Sequence, residues 1–150
     1  MGLEHDYMSK ESLKAIDLSD NFLTSFGQHP ILLPWTSLAF LDLTSNNIQG
    51  SPPIPSSSTL QYHASHNSFI GKIPELICNL SSLRVLRLSE NNLSGPLPQC
   101  LHGFGNSSVL LDIRRNKFEE IFPQNWANGG KLMISNCRPV RDNFLSKILF

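Results

Sequence analysis

The sequence carries little charge and no excess of either sign. Lys and Arg together number 12, as do Asp and Glu, so the formal net charge of the 150 residues is zero. This balance argues against a nucleic-acid partner, which a basic patch would attract. Charged residues make up 16% of the chain, below the roughly 25% of an average domain. The apolar content of 40% is nevertheless too high for a disordered chain, so we expect one folded domain or part of one.

Segments that would send a chain into or across a membrane are also missing. The first residues, from Met1 to Asp6, include acidic side chains where a signal peptide needs basic ones followed by an apolar run. Asp6 also breaks the myristoylation pattern. No apolar run approaches the ~18 residues of a membrane span. We therefore expect the chain as written to carry neither an export signal nor a membrane anchor.

Motifs that would indicate an enzyme or a metal site are lacking as well. The sequence has no G-x-S-x-G turn and no glycine-rich phosphate loop. Cys100 and His102 offer only two ligands at close spacing, fewer than a zinc site needs. The three cysteines fit no closed set of disulfides. The sequence thus predicts no catalytic residues, no cofactor and no metal.

The sequence is instead rich in leucine, serine and asparagine, with 23, 20 and 13 residues, and these residues form a repeat. Residues 83–98 read L-x-x-L-x-L-x-x-N-x-L-x-G-x-L-P, and the same offsets recur in four other stretches. The key asparagines are separated by 25, 21, 24 and 25 residues, which gives a mean period of about 24. These asparagines are Asn21, Asn46, Asn67, Asn91 and Asn116.

Each position of the repeat has a physical role. Leu86 and Leu88 are two residues apart, so they lie on one face of a short strand and stack with their counterparts in the next coil. Each buried Leu contributes roughly 1.5–3 kcal/mol. The asparagine turns inward and pairs with backbone groups that the curved chain leaves open. The glycine provides a turn, and the result is a coil of parallel strands with the strands on its concave side.

This pattern resembles the 24-residue leucine-rich repeat specific to plants. The stretches 76–83, 98–101 and 106–116 resemble plant receptor-like proteins near the C-terminal part of their ectodomain, and the resemblance covers about residues 12–134. It implies an α/β-type repeat solenoid with little regular helix, on the extracellular side of the plasma membrane. It also implies perception of a peptide or protein ligand in immunity or development, with signalling through partner receptor kinases or adaptors.

The boundaries follow from where the repeat keeps its register. We expect an N-terminal extension at 1–11, a solenoid of about five coils at 12–134 and an out-of-register tail at 135–150. The signal peptide, cysteine cap, further repeats and membrane helix of the family are not in the sequence. Two alternatives therefore stay open. One is a secreted repeat protein that inhibits pathogen cell-wall hydrolases, and the other is a truncated product without activity.

Polar side chains at three positions of each repeat are expected on the concave face, where this class of receptor binds ligands. These positions are acidic at the N-terminal end, carry His in the middle and carry Arg at the C-terminal end. One hypothesis is a peptide-binding strip in which Arg87, Arg114 and Arg115 attract a carboxylate. The alternative is that a concave face must be polar simply to stay soluble. The strip comprises Asp17, Asp42, His63, His66, Arg87, Glu90, Asp112, Arg114 and Arg115, with hydroxyl side chains between them at Ser19, Thr44, Ser65 and Ser89.

Two histidines and three sequons add minor hypotheses. Because histidine in general titrates near ~6.5, His63 and His66 are candidates for a sensor of external pH, or else two exposed polar residues of a weak repeat. N-glycosylation sequons begin at Asn79, Asn92 and Asn106. They agree with an origin in the secretory pathway, although their use requires export.

Cys78 and Cys100 are 22 residues apart, nearly one coil, which places them on adjacent coils. Cα distances of ~4.4–6.8 Å can be bridged there. Counted from the key asparagine, however, the two cysteines lie two positions out of register. The sequence leaves two interpretations open, a disulfide in an oxidising compartment or two buried thiols. Cys137 would remain unpaired in either case.

Overall fold

The computed structural model describes residues 11–26, 32–103, 109–118 and 130–134. These residues form short parallel strands in two sheets, with little helix. One sheet has six strands in the order β1-β2-β4-β6-β8-β9, and the other has three in the order β3-β5-β7. The strands are β1 (Ala15–Asp17), β2 (Phe40–Asp42), β3 (Gln49–Gly50), β4 (Gln61–His63), β5 (Ser68–Gly71), β6 (Val85–Arg87), β7 (Asn92–Leu93), β8 (Leu110–Asp112) and β9 (Lys131–Met133).

The six-stranded sheet pairs equivalent repeat positions coil after coil. Leu41 of β2 lies beside Ile16 of β1, and Leu86 of β6 lies beside Leu111 of β8. Because each coil advances by one repeat, every strand is parallel to its neighbours and in register. The predicted repeat solenoid with short parallel strands is confirmed. β9 adds a sixth strand to this sheet beyond the five repeats identified in the sequence.

Two short helices lie on the return path of their coils. A 3-10 helix spans Glu75–Asn79, and an α-helix of one turn spans Gln99–His102. Proline precedes each helix in an extended conformation, at Pro74 and Pro98. The proline fixes φ and lacks an N–H, so it is compatible with the start of a helix but not with its interior.

The core consists of the apolar repeat positions, stacked from coil to coil. Leu86 and Leu88 are fully buried, as the spacing of two predicted. The repeat that matches the sequence pattern least well is held in the stack by two polar side chains that hydrogen-bond to the backbone. The hydroxyl of Tyr62 donates to the carbonyl of Pro53 at 2.7 Å, and the Thr59 hydroxyl donates to the carbonyl of Leu38 at 2.8 Å. Both residues are fully buried, so these bonds remove the cost of burying a hydroxyl.

The key asparagines bond backbone groups of two coils at once. In Asn91 the side-chain oxygen accepts the N–H of Phe69 at 3.0 Å, and the amide nitrogen donates to the carbonyls of Ala64 and Leu88 at 3.0 and 3.1 Å. Asn21 differs, because it is exposed and its amide nitrogen donates to carbonyls of its own coil. The four asparagines that are buried and bond across coils are Asn46, Asn67, Asn91 and Asn116.

The residue before each key asparagine has a positive φ. This left-handed conformation costs an L-residue roughly 1–2 kcal/mol, and the asparagine bonds on the next residue hold it in place. Glycine takes the left-handed position later in the coil. At Gly95, where φ is +73°, an added Cβ would approach Lys72 Cγ to 2.9 Å. The non-glycine residues with φ of 54–57° are Asp20, Ser45, His66, Glu90 and Arg115.

Cys78 and Cys100 form a disulfide that joins the two short helices. Their Cα atoms are 5.6 Å apart, within the range that a disulfide spans. The helical return segments bring the two cysteines together despite the offset of two positions in the repeat. The alternative of two buried thiols is wrong here, since Cys78 is exposed and bonded.

Several sequence-based expectations fall outside the described residues. They concern the N-terminal extension up to residue 10, the tail at 135–150, the sequon at Asn106 and the thiol of Cys137. Within the described ranges, no helix is long and apolar enough to cross a membrane.

Candidate functional site

A groove of about 430 Å³ runs along the concave face of the six-stranded sheet. Six of the nine residues predicted for the concave strip line it, while Asp17, Glu90 and Arg115 do not. The lining includes three hydroxyl side chains and one methionine that the prediction did not name as ligand-binding. The lining residues are Asp42, Thr44, His63, Ser65, His66, Arg87, Ser89, Asp112, Arg114 and Met133.

The alternation of the strands explains why these side chains share one surface. Core residues of β6 point inward, so Arg87 and the residue two positions on point into the groove. The parallel register then sets equivalent side chains side by side. Asp42 lies beside His63, His63 beside Arg87, and Arg87 beside Asp112. The groove floor is therefore a row of charged and polar groups one strand apart.

Arg114 is held by a carboxylate of its own coil. Its Nε donates to Asp112 Oδ1 at 2.9 Å, and its Nη2 donates to Asp112 Oδ2 at 2.8 Å. The bonds to Asp112 raise the pKa of Arg114 above its usual value. Asp112 is buried, with 3% of its surface exposed, and would be a costly lone charge without this cation. Arg114 thus neutralises Asp112 and is not a free cation for a ligand.

Glu90 contacts one side chain from each of the two neighbouring coils at the edge of the groove. Its Oε1 lies 3.0 Å from Arg115 Nη1 on the next coil, and its Oε2 lies 3.0 Å from His66 Nδ1. Arg115 is also exposed, so this pair contributes little to stability. Among the three arginines of the predicted strip, Arg87 alone has no ion pair within the described part of the chain.

His63 lies in this row between Asp42 and Arg87. Its Nδ1 lies 3.5 Å from Asp42 Oδ2, and its ring meets the ring of Phe40 edge-on at 5.5 Å. Burial lowers the pKa of His63 below its usual value, and Arg87 acts in the same direction, while Asp42 opposes them. The Nε2 atom is buried and has no hydrogen-bond partner in the described structure. This geometry favours a neutral imidazole.

Hydroxyl groups occupy the position between the charged rows. Ser89 Oγ donates to Ser65 Oγ at 2.9 Å, across adjacent coils, and both residues are only 7% exposed. Thr44 lines the groove next to them. A recurring Ser or Thr at the sixth position after the first repeat Leu was the sequence signal for these groups. The groove therefore combines paired charges, one unpaired guanidinium and a run of hydroxyls.

The remaining predicted sites lie away from the groove. Asn79 ends the 3-10 helix beside the disulfide and is exposed, and Asn92 is exposed in β7. Within the described residues, no group of three His, Cys, Asp or Glu side chains is placed to hold a metal ion.

Comparison with known proteins identifies the repeat. The family model for the Leucine Rich Repeat matches residues 82–104. Receptor-like protein 7 of Arabidopsis thaliana is 47% identical over 90 residues, which are 60% of this chain and 9% of the relative. The chain thus spans about a tenth of the length of that relative.

Solved structures show the same fold. A TDR receptor matches with a TM-score of 0.68 and 25% identity, over 83% of this chain and 22% of its own. The plant peptide hormone receptor RGFR1 in complex with RGF2 matches with a TM-score of 0.63 and 25% identity, over 81% of this chain and 21% of its own. The repeat, the solenoid and these likenesses support the predicted resemblance: the chain is similar to a segment of plant leucine-rich-repeat receptor-like proteins.

Proposed function

We propose that the concave groove binds an extended peptide or a peptide-like segment of a protein. The observation that carries this proposal is the groove itself, a channel of about 430 Å³ with a polar floor that runs across the strands. Such a floor offers hydrogen bonds to the backbone of an extended chain. The similar receptor RGFR1 was solved in complex with RGF2, which supports a peptide as the ligand.

The same proposal assigns the chain a role in ligand perception at the outer face of the plant plasma membrane. The likeness to receptor-like proteins supports this assignment, as do exposed sequons at Asn79 and Asn92, which would carry glycans in the secretory pathway. Signalling through a partner receptor kinase or adaptor belongs to the proposal as well, and the likeness to receptor-like proteins supports it.

A selection from a phage-displayed library of random linear peptides tests the groove. The bait is the chain secreted from plant or insect cells, and the selected peptides are measured by titration calorimetry. We expect Arg87→Ala to weaken their binding by about tenfold or more, a change of ~1.4 kcal/mol. Arg84→Ala is the matched control, because Arg84 is also an exposed arginine of β6's coil but does not line the groove.

Two results would contradict the proposal. One is a selection that enriches no peptide above an unrelated bait. The other is a set of peptides that bind the Arg87→Ala variant as tightly as the unchanged chain.

A further inference from the structure

In three coils an aspartate of the concave face bonds the backbone N–H two residues further on. At these three positions the amide hydrogen is donated to the carboxylate of a side chain on the concave face. This bond satisfies an N–H that the neighbouring coils do not use. The N–H to carboxylate distances are 2.9 Å from Ser19 to Asp17, 2.8 Å from Thr44 to Asp42 and 3.2 Å from Arg114 to Asp112.

The two coils in the middle lack this aspartate. Its position is taken by His63 in one coil and by Arg87 in the next. The backbone N–H groups of Ser65 and Ser89 consequently have no hydrogen-bond acceptor among the residues that the structure describes. Both serines are only 7% exposed, and leaving such a donor without a partner costs roughly 1–3 kcal/mol.

These two open N–H groups are close to each other and to a further donor. Parallel strands lie ~4.8 Å apart, so amides at equivalent positions of adjacent coils can reach one anion. Ser89 Oγ donates to Ser65 Oγ at 2.9 Å, which leaves the hydroxyl hydrogen of Ser65 for another acceptor. Arg87 adds a guanidinium that no carboxylate of the described chain neutralises.

The carboxylates around this point do not compete for the donors. Asp42 lies 3.5 Å from His63, and Asp112 is held by Arg114. Each is also bonded to the N–H of its own coil. The middle of the groove is thus rich in hydrogen-bond donors, and no carboxylate of the described residues is paired with them.

We propose that the N–H groups of Ser65 and Ser89, with the Ser65 hydroxyl and Arg87, form a binding site for a carboxylate of an acidic peptide. The ligand carboxylate would take the place that aspartate holds in the other coils. Charge-assisted bonds from backbone N–H groups are short and strong, and a pair of them fixes both the position and the orientation of the anion. This inference rests on the proposed peptide-binding role of the groove and names the chemical group that it recognises.

Amide NMR of the intact chain tests the site directly, with sodium acetate as the probe. We expect the amide protons of Ser65 and Ser89 to move downfield in a saturable way. The amides of Ser19 and Thr44 serve as internal references, since aspartates already bond them. Sodium chloride at equal ionic strength is the control. Shifts of equal size at all four amides, or at none, would overturn the site.

A pair of variants at one position separates the backbone donors from the charge of the guanidinium. Arg87→Asn and Arg87→Gln remove the same charge, but only the short Asn side chain can bond the N–H two residues on, as Asp112 does. We expect Arg87→Asn to abolish the acetate-dependent shift of Ser89, and Arg87→Gln to weaken it while keeping it saturable. Equal effects of the two variants would show that only the charge of Arg87 attracts acetate, which would refute the role of the backbone N–H groups.

Peptides selected on the groove distinguish this inference from the broader proposal. If the inference is right, replacing their acidic residues by amides, or amidating their C-terminus, lowers affinity about tenfold or more. The first change reports a side-chain carboxylate and the second a terminal one. Peptides that bind but are indifferent to both changes would disprove the inference and leave the peptide-binding role standing. Saturable acetate binding without any selected peptide would disprove the peptide-binding role and leave the carboxylate site standing.

Discussion

The guanidinium of Arg114 makes a bidentate ion pair with the buried carboxylate of Asp112, two residues earlier in the same coil. This pair changes the role of Arg114. The sequence placed it among the cations that attract a ligand, whereas the structure uses it to neutralise a carboxylate that also bonds the backbone N–H of Arg114. The pair therefore has a structural role within the coil.

Removing Arg114 should therefore reduce stability more than removing its neighbour. We expect Arg114→Ala to lower the free energy of unfolding by about 1–3 kcal/mol, because it leaves Asp112 buried without a cation. Arg115→Ala is the control and should cost less than about 1 kcal/mol, since its pair with Glu90 is exposed. Urea denaturation measures both values. Equal losses would show that the Asp112 pair has no special weight.

The asparagine ladder should be sensitive where it is buried and tolerant at its exposed end. Asn91→Leu leaves the N–H of Phe69 and the carbonyl of Ala64 buried without partners. We expect a loss of roughly 1–3 kcal/mol for each group. Asn21→Leu should lower the unfolding midpoint far less, because Asn21 is exposed. Thermal unfolding by circular dichroism compares the two, and a similar drop in both would argue against the cross-coil bonds as the cause.

His63 should make the fold less stable as the pH falls. Burial lowers its pKa below 6.5, so folding favours the neutral imidazole, with Arg87 adding to this effect and Asp42 opposing it. The stabilising contribution is complete above the unfolded pKa of about 6.5 and is lost as the pH falls from there through the folded pKa. His63→Gln should decline less in unfolding temperature between about pH 7.5 and about pH 5 than the unchanged chain.

The control for this effect is Gln61→Ala, which changes a side chain without a titratable group on the same strand, β4. That variant should keep the pH dependence of the unchanged chain. A His63→Gln variant with an undiminished decline would assign the effect to other groups.

The disulfide should contribute to stability by restricting the unfolded chain. Cys78 and Cys100 close a loop of 22 residues, for which the loop-entropy estimate is about 3 kcal/mol. We expect Cys78→Ala/Cys100→Ala to lose about that amount and to become insensitive to reductant. Mass spectrometry after alkylation without reduction provides an independent check on secreted protein. Two alkylated cysteines at these positions would contradict the disulfide.

Much of the fold was predictable because its signals are local. The spacing of Leu86 and Leu88 determines which side chains of a strand face the core, and the recurring Asn91-type residue marks where each coil turns. Even the weak repeat kept its register, because Tyr62 fills the position of a leucine and its hydroxyl finds the carbonyl of Pro53. The outward positions followed from the same alternation, so the sequence located most of the groove.

The cysteine pair could not be decided by counting positions. The repeat register alone put Cys78 and Cys100 two residues apart along the coil. Two short helices on the return path, which the repeat pattern does not encode, move the Cα atoms to 5.6 Å. Local helical geometry in the loops thus settled a question that periodicity had left open.

The sequence by itself determined the solenoid, its register and the set of polar residues on its concave face, since a repeat of fixed length forces equivalent positions to stack. Only the tertiary structure decided which of those polar groups are already partnered. Arg114 and Arg115 pair with carboxylates, whereas Arg87 and the N–H groups of Ser65 and Ser89 have no such partner among the residues that the structure describes. Pairing depends on distances between coils and on side-chain conformations, where several partners lie within reach, and a one-dimensional pattern does not choose among them.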